Sequence, residues 1–191
     1  MRCFIAIDVS EVVRAALGET LARLRADAPR ADVRWVDPAQ VHLTLKFLGT
    51  VADERVPAIS QALDAALVDA APVVLAAAGL GGFPSIRRPR VLWAGLTGGV
   101  AELAAVAAVV DRVAVAQRFP AESRPFRGHL TLGRVRSPRG AAALTKAIAA
   151  AGAPDLGSWT ASEVVLYESR LRPTGALYVP ISRHALRGAR R

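Results

Sequence analysis

Two histidines, each followed two positions later by a threonine, are the residues of this chain best suited to chemistry. They open the tetrapeptides His42-Leu43-Thr44-Leu45 and His129-Leu130-Thr131-Leu132 in a sequence that holds only three histidines. Alternate side chains of a strand share a face. In each copy that rule turns the leucines to one side and presents an imidazole beside a hydroxyl on the other. The same rule places Lys46 with His42 and Thr44, and Phe47 with the leucines. Imidazole titrates near neutrality, so one histidine can accept a proton while the other donates one. The threonine hydroxyls can hydrogen-bond phosphoryl oxygens, and Arg134 can neutralise phosphate charge in bidentate fashion. The set suits acid–base chemistry on a phosphodiester, for which no metal is required. One H-x-T triplet is a weak signal; two in matching contexts point to one joint site.

Metal and cofactor chemistry find little support. No H-x-H or H-x-x-x-H spacing exists, and carboxylates are sparse around both motifs. The single cysteine, Cys3, excludes a cysteine-based zinc site and an internal disulfide framework. No cofactor and no metal site are expected. His184 stands in no motif and is assigned no role.

The elements that must position these groups alternate along the chain. CFIAID reads as a strand, and Ser10 caps a helix whose apolar stripe runs through Val12, Val13, Ala16, Leu17, Leu21 and Leu24. Residues 33–36 look extended, 41–48 read as a strand, and 53–68 as a helix. Strands are expected at 73–78 and 90–96, on either side of a Gly/Pro/Arg loop carrying Arg87, Arg88 and Arg90, and a helix follows in GGVAELAAVAAVVDRVAVA. Residues 126–135 form another strand, Ser137-Pro138 starts a helix ending near Gly152, and strands near 163–167 and 176–182 finish the chain. Several strands adjoin without a helix between them, which predicts an α+β fold with antiparallel sheet. The two H-x-T strands lie 87 residues apart (129 − 42), each followed by a turn and a helix. The repeat predicts two pseudo-symmetric, intertwined lobes, each with antiparallel sheet and helices, around a central active-site groove. Residues 1–191 read as a single domain, with 187–191 a frayed basic tail.

The formal net charge is +9 (25 − 16), a balance that favours an anionic partner such as nucleic acid. No apolar run reaches the roughly 20 residues of a membrane span, and the N-terminus reads as strand then helix rather than signal peptide. A cytoplasmic monomer is the expectation.

The sequence resembles the two-histidine (2H) phosphoesterase superfamily, specifically the RNA 2′,3′-cyclic phosphodiesterase family, also called 2′-5′ RNA ligase. Beyond the two motifs, MRCFIAIDVSEVVRAAL, RWVDPAQVHLTLKFLG, GFPSIRRPRVLWAGL and LYESRLRPTGALYVPI resemble that family's blocks in the same order. The resemblance implies that His42 and His129 are the catalytic pair and that Thr44, Thr131 and Arg134 bind phosphate. It implies metal-independent opening of an RNA-terminal 2′,3′-cyclic phosphate to a 2′-phosphate, with His129 activating water and His42 protonating the leaving 3′ oxygen. RNA ends or oligonucleotides bearing the cyclic phosphate are the implied partners. One departure is Gly128, where the family often has proline. Ligation through the same site and a non-catalytic nucleotide- or RNA-binding module are the alternatives, with a zinc hydrolase more distant. Trp35 and Phe83 are further candidates for base stacking.

Overall fold

The computed structural model describes residues 1–172 and 175–188. Its fold is α+β: four helices and nine strands, all paired antiparallel, among the described residues. The first half of the chain runs β1 (Arg2–Asp8), α1 (Glu11–Asp27), β2 (Val33–Trp35), β3 (His42–Thr50), α2 (Val56–Leu67) and β4 (Val73–Phe83). The second runs β5 (Val91–Gly98), α3 (Val100–Ala116), β6 (Leu130–Val135), α4 (Ala141–Ala151), β7 (Asp155–Ala161), β8 (Glu163–Arg172) and β9 (Gly175–Ala185). Sheet order is β7-β4-β5-β6-β3-β1-β8-β9, with β2 also pairing β6. Each half therefore sends its closing strands to the other: β4 joins β5, and β8 joins β1. The two four-stranded arrays meet where β3 touches β6.

Apolar alternation explains which face is covered. Leu43, Leu130, Leu75, Leu92, Val164 and Leu166 are fully buried and join the stripes of all four helices in one cluster. At about 25 cal/mol per Å² of apolar surface, this one-sided burial is the main force holding helices to sheet. The opposite face carries a smaller cluster of Phe4, Ala6, Val165 and Tyr167, with Tyr178 against it. No helix among the described residues is long and apolar enough to cross a membrane.

Local expectations hold where the pattern is strong. Ser10 caps α1, its Oγ accepting from Val13 N at 3.4 Å. They fail in two places. Ser137 does not cap α4, because the helix begins only at Ala141 with Gly140 at its N-cap; the Ser137 hydroxyl donates to Asp32 Oδ2 at 2.8 Å and accepts from Arg139 N at 3.4 Å. Gly140 stands at the helix start with φ 70°, where a Cβ would lie 2.6 Å from Ala31 N. Strand β7 is not foreseen by the sequence pattern; Gly157 at φ 92° interrupts its alternation, yet Leu156, Trp159 and Ala161 are buried. Of the expected basic tail, 189–191 lie outside the described residues, whereas Gly188 N donates to Ala70 O at 2.9 Å.

Candidate active site

The seam between the two arrays is a single register pair, Leu43 opposite Leu130, both fully buried. Antiparallel pairing centred there sets His42 across from Thr131 and Thr44 across from His129. All four side chains are half-buried on the face away from the helices. The histidines are diagonal neighbours, a relation that separates residues by roughly 7–8 Å. The two H-x-T motifs thus form one square at the seam.

Each ring is oriented by the same local bond. His42 Nδ1 donates to the Gln40 carbonyl at 2.9 Å, and His129 Nδ1 donates to the Arg127 carbonyl at 2.8 Å. A carbonyl oxygen can only accept, so both Nδ1 atoms carry hydrogen. Among the described residues neither Nε2 has a hydrogen-bond partner, so each can accept a proton when the ring is neutral or donate one when it is charged. The packing matches as well. Tyr178 meets the His42 ring edge-on (4.8 Å, 87°), and Phe83 meets His129 likewise (5.1 Å, 85°).

The surroundings of His42 bias it toward the neutral form. Burial, with Phe4 4.7 Å away, pushes its pKa below the ordinary histidine value; the Gln40 carbonyl and Asp8 oppose this, and Arg14 adds to it. Asp8 sits opposite His42 in the sheet register, and its Oδ1 accepts from the Tyr167 hydroxyl at 2.6 Å. Burial and that carboxylate hold the Tyr167 phenol protonated, far above its ordinary range. A polar cleft between Asp8, Arg14, Gln40, His42, Tyr167 and Tyr178 opens beside the ring. Asp8 has a faint sequence signal, a carboxylate closing the apolar strand CFIAID.

Strict alternation misplaces two residues, for a physical reason. Where Ala6 pairs Thr44, Ile5 pairs Lys46, so Leu45 is an inserted bulge residue. Past the bulge the faces exchange. Lys46 turns inward and is 3% exposed, while Phe47 is 65% exposed. The second motif repeats the device: Trp93 pairs Thr131 and Leu92 pairs Gly133, leaving Leu132 extra. The bulge brings Arg134 to the face of Thr131, at the position equivalent to Phe47 (47 + 87 = 134). A signal is present in the apolar letters at 43, 45 and 48, whose spacing breaks from two to three.

Lys46 is structural. Its Nζ donates to Asp111 Oδ1 and to the Pro120 carbonyl, each at 2.7 Å, and lies 3.1 Å from Glu122 Oε1. Burial opposes its charge, but Asp111 and Glu122 outweigh this and hold its pKa above the ordinary lysine value. Replacing Lys46 with Met should lower stability by about 2 kcal/mol, since Asp111 is largely shielded from water once orphaned. Chemical denaturation checks this; an unchanged midpoint would reject the role. Trp35 packs into the helix-side core with Arg25 over its ring at 5.8 Å, so it does not face the groove. Arg87, Arg88 and Arg90 are exposed on their loop. His184 is buried on the helix side, between Asp64 Oδ1 at 2.7 Å and Ser182 Oγ at 2.9 Å, and ties α2 to β9. Among the described residues, no three His, Cys, Asp or Glu side chains cluster as a metal site would need.

The profile of the LigT like phosphoesterases matches residues 7–93 and 97–178, spanning both H-x-T strands and both arrays. The chain belongs to this family. Relatives of this LigT-like phosphoesterase include the RNA 2′,3′-cyclic phosphodiesterase of Aeropyrum pernix, 33% identical over 160 residues that cover 83% of this chain and 90% of that one. The RNA 2′,3′-cyclic phosphodiesterase of Thermus thermophilus is 33% identical over 205 aligned positions, covering 98% and 91%. Among solved structures, TT0787 of Thermus thermophilus superposes with a TM-score of 0.81 at 28% identity over the whole of both chains. LigT of E. coli complexed with 3′-AMP gives 0.73 at 28% identity, covering 97% of each. The LigT-like phosphoesterase fold thus extends across the motif square, both bulges and the closing strands.

Proposed function

We propose that this protein hydrolyses an RNA-terminal 2′,3′-cyclic phosphate to a 2′-phosphate, with His42 and His129 as its acid–base pair and no metal. The observation that carries this reading is the square of two imidazoles and two hydroxyls, with both Nδ1–H groups engaged and both Nε2 atoms left for substrate. A phosphoryl group between the diagonal histidines would meet one Nε2 on each side. Thr44 and Thr131 donate to its non-bridging oxygens, and Arg134 reaches it along β6 with a forked positive charge.

In this mechanism His129 Nε2 takes a proton from water as the water oxygen bonds to phosphorus. The bond from phosphorus to the ribose O3′ breaks, and His42 Nε2–H delivers its proton to that oxygen. The phosphate remains on O2′. Burial disfavours the charged His42 of the free protein; an anionic phosphodiester beside it acts the other way and stabilises the imidazolium. The division of roles between the two rings follows the family resemblance. The names of the relatives, both RNA 2′,3′-cyclic phosphodiesterases, support the substrate.

Incubation with an oligoribonucleotide ending in 2′,3′-cyclic phosphate, in excess EDTA, tests the reading. The expected product is a terminal 2′-phosphate, identified by its resistance to a 3′-specific phosphatase. A 3′-phosphate product, or activity abolished by chelator and restored by a metal, would reject it. Ligation is the same ring opening in the same square, with a 5′-hydroxyl in place of water: its oxygen bonds to phosphorus as the bond to O3′ breaks.

A further inference from the structure

We infer that Arg34, paired with Arg134 across β2 and β6, extends the phosphate site beyond the reacting phosphate that Arg134 reaches, forming a subsite for the internucleotide phosphate that precedes it. The groove then favours an oligonucleotide end over a mononucleotide. This rests on the phosphodiesterase reading above.

The placement follows from the register. Arg34 lies directly opposite Arg134, flanked by the pairs Val33–Val135 and Trp35–Gly133. Val33 and Trp35 pack into the helix-side core, and a Cβ on Gly133 would meet them at 2.8 and 3.3 Å. The intervening pair of arginines therefore projects from the opposite face, the one that carries the histidine square. Both are exposed. Like charges directly opposed across two strands destabilise a sheet. Among the described residues no carboxylate lies within ion-pair distance of either arginine, so no ion pair among them offsets that repulsion. An anion held between the two guanidinium groups would.

The position along the groove fits a nucleotide chain. β2 flanks β6 on the same side as β3, so Arg34 continues the line of His42. Leaving out the bulge residue, Arg134 is three strand positions from Leu130, roughly 10 Å, a distance that an extended arginine shortens toward the square. The position equivalent to Arg134 in the first motif is Phe47, so this charge is concentrated at one end of the groove. A terminal cyclic phosphate on an RNA has a second anion on the 5′ side of its nucleotide; the mononucleotide cyclic phosphate, with a 5′-hydroxyl, lacks it. Guanidinium is suited to a phosphate of this kind by its planar fork.

The test compares three substrates: adenosine 2′,3′-cyclic phosphate, the diadenosine carrying one internal phosphodiester and the same cyclic end, and that diadenosine with a neutral methylphosphonate linkage. The wild-type kcat/KM should be highest for the charged dinucleotide. Arg34→Gln should lower that value roughly five- to tenfold, a modest factor because water screens exposed charges, and change the other two less than twofold. Equal losses on all three substrates, or no loss on any, overturns the subsite. Calorimetry decides the matter without turnover, using the dinucleotide and mononucleotide 2′-phosphates. Arg34→Gln should weaken only the dinucleotide and reduce the salt slope of its log K by about 0.7. Unchanged dinucleotide affinity also overturns the subsite, whereas absent turnover with selective binding overturns only the hydrolytic reading.

Discussion

Replacing either His42 or His129 with alanine should reduce kcat/KM on a cyclic-phosphate oligonucleotide by about 10³-fold or more, within the 10²- to 10⁴-fold range of acid–base groups. The two losses should not multiply, because in the proposed mechanism both rings act in one step, one removing a proton from water as the other delivers one to the leaving oxygen; the double variant should be little worse than either single one. Both residues are half-buried and bonded only to a local carbonyl, so circular dichroism and melting should show folded proteins. Substantial activity in either variant would reject the paired mechanism. The pH profile of kcat/KM should be bell-shaped. One limb reports His42, and its lowered pKa places that limb below ordinary histidine titration. Asp8 raises that pKa, so Asp8→Asn should move the His42 limb to still lower pH. A profile that Asp8→Asn leaves unmoved would reject His42 as one of the titrating pair.

Leu43→Ala should lower the free energy of unfolding by roughly 3–4 kcal/mol, near the middle of the range for fully buried leucines. Leu43 is the β3 partner in the one register pair that joins the two arrays, and no part of it is exposed. A cavity there removes packing against Leu130 and loosens the spacing of the histidine square on the other side of the same strands. Activity per folded molecule should fall as well, while Leu171→Ala, at 70% exposure, should change stability by no more than about 0.5 kcal/mol. Urea unfolding of both variants checks the pair of values. A loss below about 1 kcal/mol at Leu43, well under that range, would mean that the seam is held chiefly elsewhere.

Much of the site is legible in the sequence because its chemistry is local. Imidazole and hydroxyl two residues apart on a strand must share a face, and each Nδ1 finds its carbonyl two residues upstream. Both relations are set within five residues of chain. The antiparallel α+β character is legible for a similar reason, since period-two and period-3.6 patterns can be counted in a line of letters. Lys46 and Phe47 are misplaced because strict alternation assumes an unbroken ladder. Leu45 is inserted opposite β1, and only the identity of the partner strand reveals the slip. Arg34 carries no signal in the sequence for the same reason: an exposed arginine acquires meaning only when its cross-strand neighbour is Arg134.

The sequence by itself determined the candidate reacting groups, their shared face in each strand and the duplication that supplies two of them. Tertiary structure decided that the two strands are neighbours, that they touch at one leucine pair, and that the histidines therefore stand diagonally across it. It also decided that Asp8 and the aromatic rings set the environment of His42. Local patterns carry the period of a strand, but pairing and register arise from which distant apolar faces must be buried together. That choice is made by the whole core.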